Sequence, residues 1–126
     1  MTKHKKEITR LLEKWRNRLL LNEWHIDVVY PIADSNDGRE GCSVLASNCV
    51  NTAYISMQIS IYPAFFNASK YTREKALVHE LCHAITQPAW DVMGSLYNGV
   101  LTAPHQQIDI IETLTQRVAN IALGAK

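Results

Sequence analysis

Apolar side chains recur with helical spacing near the N-terminus of this chain. They stand three or four positions apart at Ile8, Leu11, Leu12, Trp15 and Leu19. That spacing places them on one face of an amphipathic helix. We therefore predict a helix over residues 1–22 that buries this stripe.

A second helical pattern lies in the middle of the chain. Its apolar positions are Ala76, Leu77, Leu81, Ala84 and Ile85. Thr72 is a suitable N-cap, and the Gln87-Pro88 pair is a stop signal. The pattern predicts a helix over 72–87. The apolar segment 88–102 that follows is predicted as a loop that covers a cleft as a lid, with a short helix that fills the core as the alternative.

The C-terminal segment carries a third helical stripe. It begins after Thr102-Ala103-Pro104, a helix-start signal, and Gly124 marks its end. Its stripe positions are Ile108, Ile111, Thr115, Val118 and Ala122. We predict a helix over 103–123.

Between the first two helical segments, alternation with a period of two predicts strands. Apolar residues alternate with others from Trp24 to Tyr30 and from Ala53 to Ile61, and each run ends before a proline. Residues 42–50 are predicted to add a middle strand. The sequence thus predicts a small three-stranded sheet within 24–62. Together with the helices it forms one α+β domain over residues 1–126.

Composition narrows the classes of function. The 126-residue chain is 47% apolar and has a formal net charge of +1, so it offers no strong overall field for nucleic acid. Residues 1–18 hold seven basic and two acidic side chains, a pattern that favours a solvated helix face over a nucleic-acid contact. The oligomeric state is not encoded in any of these patterns.

The expected compartment follows from what the sequence lacks. The basic N-terminus is not followed by an apolar signal-peptide core, and no apolar stretch is long enough to span a membrane. Cys42, Cys49 and Cys82 form an odd set without C-x-x-C spacing. We expect a cytoplasmic protein with free thiols.

The segment His79-Glu80-Leu81-Cys82-His83 reads H-E-x-x-H. Residues four apart lie on one face of an α-helix, so both imidazoles can bind one Zn²⁺ ion. Glu80 projects beside the pair, where it can take a proton from a metal-activated water. The spacing predicts zinc binding by His79 and His83, with Glu80 as the catalytic base.

A third ligand is expected from the C-terminal helix, and two residues compete for this role. Glu112 borders the apolar stripe, where a carboxylate is costly unless it is paired or bound to a metal. His105 opens the same helix and carries a good zinc ligand. In an intermediate interpretation, Glu112 binds the metal and His105 stabilises the oxyanion, with Tyr97 as a weaker oxyanion candidate. Asp109 is a candidate acceptor for the N–H of a ligating imidazole.

An H-E-x-x-H segment followed by a glutamate on a later helix resembles the gluzincin pattern of thermolysin-type peptidases. The compact arrangement is similar to the minigluzincins and to small metallopeptidases encoded by phages and bacteria. The chain shares with that last group the order of four segments. These are a Trp-led strand at 21–28, an alternating strand at 54–57, the zinc motif at 79–83 and a late helix at 112–118. The chain departs from larger gluzincins because it lacks their N-E-x-x-[ST]-D sequence around Glu112.

The resemblance implies a zincin-like fold, with His79, His83 and Glu112 as zinc ligands and Glu80 as base. It also implies that a sheet edge, at the strand 53–61, holds a peptide or protein substrate in extended form. The expected function is zinc-dependent peptide hydrolysis.

Two alternatives remain open from the sequence. One is a non-catalytic zinc-binding interaction protein of a phage or mobile element. The other is an SprT-like protease, which uses three histidine ligands close to DNA. In that case His105 is the third ligand and the basic N-terminal helix contacts DNA.

Overall fold

The computed structural model describes residues 2–35, 44–96 and 104–124, and for residues 2, 92–96 and 104–110 it describes the backbone alone. The helices are α1 (Thr2–Arg18), α2 (Lys70–Leu96) and α3 (Pro104–Gly124). The strands are β1 (His25–Val29), β2 (Ala46–Asn51) and β3 (Ser56–Ile61). Two short 3₁₀ helices, Thr52–Tyr54 and Pro63–Asn67, flank β3. The predicted α+β class is confirmed, with three helices and a three-stranded sheet in the described part of the chain.

The sheet has the order β1-β3-β2, with β3 parallel to β1 and antiparallel to β2. Of the alternating strand predicted over 53–61, the part within β3 is confirmed, because Met57, Ile59 and Ile61 are buried while Gln58 is exposed. The first part is wrong: residues 52–54 form a 3₁₀ turn, and Ile55 is exposed in a left-handed conformation. The prediction that this strand forms the sheet edge is wrong: β3 is central, and β2 is an edge strand. Alternation shows that one face of a strand is buried but carries no information on its neighbours.

Helix α1 follows its predicted stripe, with Ile8, Leu11 and Trp15 buried. It ends at Arg18 rather than at residue 22, because Leu20 adopts a left-handed conformation with φ of 58°. The amide of Leu21 donates to the carbonyl of Arg16 and that of Leu20 to Asn17, a Schellman-type end. Such an end usually carries glycine, and because leucine stands here no stop signal is visible in the sequence.

Helix α2 is longer than predicted at both ends. It begins at Lys70, because Ser69 rather than Thr72 is the cap: the Ser69 hydroxyl accepts from the Thr72 amide at 3.2 Å. It continues through Pro88 to Leu96, so the stop predicted at Gln87-Pro88 is wrong. Residues 88–96 are helical, in line with the alternative of a helix in this segment rather than with the lid loop. Asp91, one turn on from Gln87, accepts from the Gln87 amide at 3.0 Å and from the Thr52 hydroxyl at 3.2 Å. These contacts lie in the turn that follows Pro88, where the helix continues although proline has removed one backbone donor.

The core lies between the sheet and the helices. Its largest fully buried side chains come from every layer and include Trp15, Phe65, Ile8, Ile59, Ile61, Leu77 and Leu81. Helix α2 packs against α1, β2 and α3, whereas α3 packs mainly on α2. Helix α2 therefore connects the sheet to α3. No helix in the described ranges has the length and apolar character needed to cross a bilayer.

Candidate metal centre

Two histidines one turn apart on α2 form the base of the site. The Nε2 atoms of His79 and His83 are 3.3 Å apart, and their rings meet at an interplanar angle of 73°. Leu77, Val78, Leu81 and Cys82 surround the pair in sequence and are fully buried, which fixes the rotation of the helix. The two imidazoles therefore face the same point beside α3.

Helix α3 brings a carboxylate to that point. Glu112 places Oε2 at 2.9 Å from His79 Nε2 and Oε1 at 3.2 Å from His83 Nε2. The register follows from the seam of α3, because Ile111, Thr115 and Ala119 are buried at intervals of four residues. One ligand atom from each of His79, His83 and Glu112 lies within 4.8 Å of the others.

The remaining ring nitrogens lie next to Gln116 and Thr115, neither of which was predicted as a site residue. His79 Nδ1 lies 2.8 Å from Oε1 of Gln116, whose amide nitrogen donates to Asn120 Oδ1 at 2.8 Å. Because that second bond orients the amide, Gln116 accepts from Nδ1–H of His79. The signal was available in the sequence, since Gln116 follows Glu112 by four residues and so shares its helix face.

His83 is oriented by a buried pair of hydroxyls. Its Nδ1 lies 3.5 Å from Oγ1 of Thr115, and Thr115 is 2.8 Å from Oγ1 of Thr86. Both threonines are buried, as is His83. Partners at Nδ1 direct Nε2 toward a metal, which is the usual arrangement of histidine ligands.

Glu80 is not one of the three clustered residues but follows His79 directly in the chain. Its side chain is buried at 8% exposure, and the amide nitrogen of Asn48, from edge strand β2, donates to its Oε2. Asn48 was missed because a contact between a strand and a helix 32 positions later leaves no periodic signal. The sheet thus holds the carboxylate that the motif identifies as a base.

The environment shifts the acidity of these groups in different directions. Burial raises the pKa of Glu80, against the opposing effects of Asn48 and the imidazoles. Hydrogen bonds from His79 and His83 hold the pKa of Glu112 well below its usual range. Burial lowers the pKa of His79, but the bond to Glu112 and the charge of Glu80 outweigh it, so its net pKa is raised. Glu112 is therefore ionised, as a metal ligand must be.

The donor set fits a zinc ion. Ligand atoms around tetrahedral zinc with bonds of ~2.0–2.1 Å are about 3.3 Å apart. The separations here are 2.9, 3.2 and 3.3 Å. The side chain of Glu112 is 50% exposed and that of His83 only 8%, so one side of the cluster faces solvent. Two imidazoles, one carboxylate and an open side are typical of catalytic rather than structural zinc sites.

Three other candidates cannot be placed in this geometry. His105 and Asp109 belong to the first turns of α3, where side chains lie outside the described residues. Tyr97 lies outside the described residues altogether, as do 97–102 of the predicted lid. Their assignment as oxyanion or imidazole partners stays a prediction. Of the cysteines, Cys82 is buried and Cys49 exposed, both with free thiols, and Cys42 is not described.

Comparison of the chain with protein-family models, with curated proteins and with solved structures finds no match.

Proposed function

We propose that this protein is a zinc-dependent peptidase with a zincin-like arrangement of strand, motif helix and third-ligand helix. The observation that carries the proposal is the convergence of His79, His83 and Glu112 on one point, with buried Glu80 beside it. A held zinc ion supplies Lewis-acid polarisation of a carbonyl and makes water more acidic.

The protein residues then have separate roles in the proposed reaction. Glu80 takes a proton from the attacking water and passes it to the leaving amine. Asn48 holds the Glu80 carboxylate in position. Gln116 and Thr115 fix the rings of the two histidines. The half-exposed carboxylate of Glu112 supports access by substrate from the solvent side.

Substitution of Glu80 tests this proposal. We expect Glu80→Gln to lower hydrolysis of a fluorescence-quenched peptide library by about 10²–10⁴-fold, because the base is removed. Bound zinc, measured by elemental analysis, stays at the wild-type level because the ligands are retained. Glu23→Gln, at an exposed loop position, is the matched control and keeps full activity.

Two results would contradict the proposal. Hydrolysis by Glu80→Gln at the wild-type rate would show that Glu80 is not the catalytic base. Stoichiometric zinc without hydrolysis of any library member by the wild-type protein favours a non-catalytic zinc-binding protein. Loss of zinc in Glu112→Ala, but not in His105→Ala, separates the proposal from the arrangement with three histidine ligands.

A further inference from the structure

An open cavity adjoins the candidate metal centre on the side of the N-terminal half of α2. Its volume is about 330 Å³, within the usual range for ligand sites. Leu45 and Ala46 line it from the start of β2, and Gln116 lines it from α3. His79 and Glu80 are part of the same wall, so the cavity is continuous with the proposed reaction centre.

Among the described residues that line this cavity, Lys75 is the one lysine or arginine. It precedes His79 by four residues and so lies on nearly the same face of α2, about 6 Å away along the helix axis. The flexible four-carbon stem of lysine can cover part of that span, so an Asp or Glu side chain has to cover only the remainder. A residue with its carbonyl at the metal centre can therefore extend a carboxylate to Lys75.

The charge of Lys75 is available to a ligand. Neighbouring Glu74 is engaged with Lys14, with Nζ and Oε2 3.2 Å apart. Lys75 forms no hydrogen bond or ion pair with the residues whose side chains are described. The acidic group in the cavity wall, Glu80, accepts from Asn48. An incoming carboxylate thus meets an unneutralised ammonium group beside apolar Leu45 and Ala46.

We propose that this cavity is a specificity subsite that receives the side chain of an Asp or Glu residue next to the scissile bond, with Lys75 as its ionic partner. The inference rests on the proposed peptidase function and names a substrate class for it. Lys75 is a specificity-determining residue that contacts substrate and takes no part in proton transfer.

The first test compares quenched peptides that differ at the residues flanking the cleaved bond, with Glu, Gln or Lys there. The zinc-loaded full-length protein should favour Glu over Gln by about tenfold in kcat/KM, as a charge-assisted hydrogen bond gives. Lys75→Gln should remove this preference, Lys75→Glu should favour the Lys peptide, and Lys75→Arg should retain the preference for Glu. Lys70→Gln, at an exposed position of the same helix, is the matched control and should leave the preference unchanged.

The second test measures binding without turnover. Fluorescence anisotropy of the labelled Glu and Gln peptides is recorded with Glu80→Gln and with Glu80→Gln/Lys75→Gln. Tighter binding of the Glu peptide to the first protein, by about tenfold, and equal binding to the second support the inference even if no peptide is hydrolysed. In that outcome the peptidase proposal fails, while the cavity stands as a binding site for an acidic side chain with Lys75 as its ionic partner.

Two outcomes overturn the subsite. One is hydrolysis with no preference between Glu and Gln peptides, or with a preference that Lys75→Gln leaves intact. The other is equal binding of both peptides to Glu80→Gln. In the first case the peptidase proposal survives while the inference fails, so the two failures are distinguishable.

Discussion

At the scale of single residues, the two histidines of the candidate metal centre are constrained at both ring nitrogens. Glu112 contacts both Nε2 atoms, Gln116 contacts Nδ1 of His79 and Thr115 lies near Nδ1 of His83. Fixed rings lower the entropy that a metal must remove from its ligands on binding. Gln116 and Thr115, which lie at the Nδ1 atoms, should therefore affect metal affinity without touching the metal.

Gln116 is the clearest example of a residue that orients a ligating histidine without binding the metal. We expect Gln116→Leu to weaken zinc binding by about 10–100-fold, the usual effect of removing the partner of a ligating imidazole. The affinity is measured by competition with a chromogenic zinc chelator. Thr113→Ala, at an exposed position of α3, is the control and should leave affinity unchanged. Equal affinity in wild type and Gln116→Leu would show that Gln116 does not orient His79.

The contact between His79 and Glu112 should make the stability of the metal-free protein depend on pH. Folding raises the pKa of His79 above its ordinary value of 6.5, so the protonated imidazole stabilises the folded protein. This stabilisation is complete below pH 6.5 and is lost as pH rises through the folded-state pKa. The lowered pKa of Glu112 contributes stability above its ordinary value of 4.5, which is lost as pH falls through the folded-state pKa. The pair is therefore strongest between these two values.

Denaturant unfolding with a chelator present checks this window. Because Glu112 is half exposed, solvent screening limits its contribution to about 0.5–1 kcal/mol. The free energy of unfolding of wild type minus that of Glu112→Gln should peak near pH 5–6, since both partners are charged there. It should decrease toward pH 8 and toward pH 3. A difference that is constant across pH would contradict an ionic contact between His79 and Glu112.

At the scale of elements, α1 and α2 both end at residues other than those that the sequence predicts. Leu20 holds a left-handed conformation that costs a non-glycine residue about 1–2 kcal/mol, and it is 84% exposed. Pro88 removes a backbone donor within α2, yet the helix continues to Leu96. In both places the surrounding structure, rather than local preference, determines the backbone.

Replacing Leu20 with glycine should stabilise the protein, because it relieves the strain of a left-handed conformation at a non-glycine residue. Leu20→Gly removes the Cβ that the left-handed region disfavours, and little packing is lost because the side chain is exposed. The greater freedom of glycine in the unfolded chain offsets part of the gain. We expect a net increase of about 0.5–1 kcal/mol in the free energy of unfolding, measured with urea. Leu20→Ala keeps the Cβ and should give no comparable increase.

At the scale of the whole molecule, α2 connects the sheet to α3, which packs mainly on α2. The three candidate ligands come from these two helices. A bound metal would therefore add a cross-link where α3 has few other contacts. Stability and metal binding should be coupled through this helix pair.

Addition of zinc should raise the melting temperature of the purified metal-free protein. At a free concentration about 100 times the Kd, mass action adds about 2.7 kcal/mol to the free energy of unfolding. Hydrogen exchange should slow in α2 and α3 more than in α1, because only the first two helices carry ligands. Glu112→Ala should abolish both effects. Equal protection of all three helices by zinc would argue against this ligand set.

By itself the sequence determined the α+β class, the three helices, the alternation of β3 and the placement of His79 and His83 on one helix face. These features depend on short-range periodicity, which a single segment encodes. Tertiary structure decided that Glu112 meets the two histidines and that β2 rather than β3 is an edge strand. It also decided that Asn48 contacts Glu80 and that Gln116 contacts His79. It also carried α2 through Pro88. Each of these depends on which surfaces of distant segments pack together, and that is set by burial of the core as a whole.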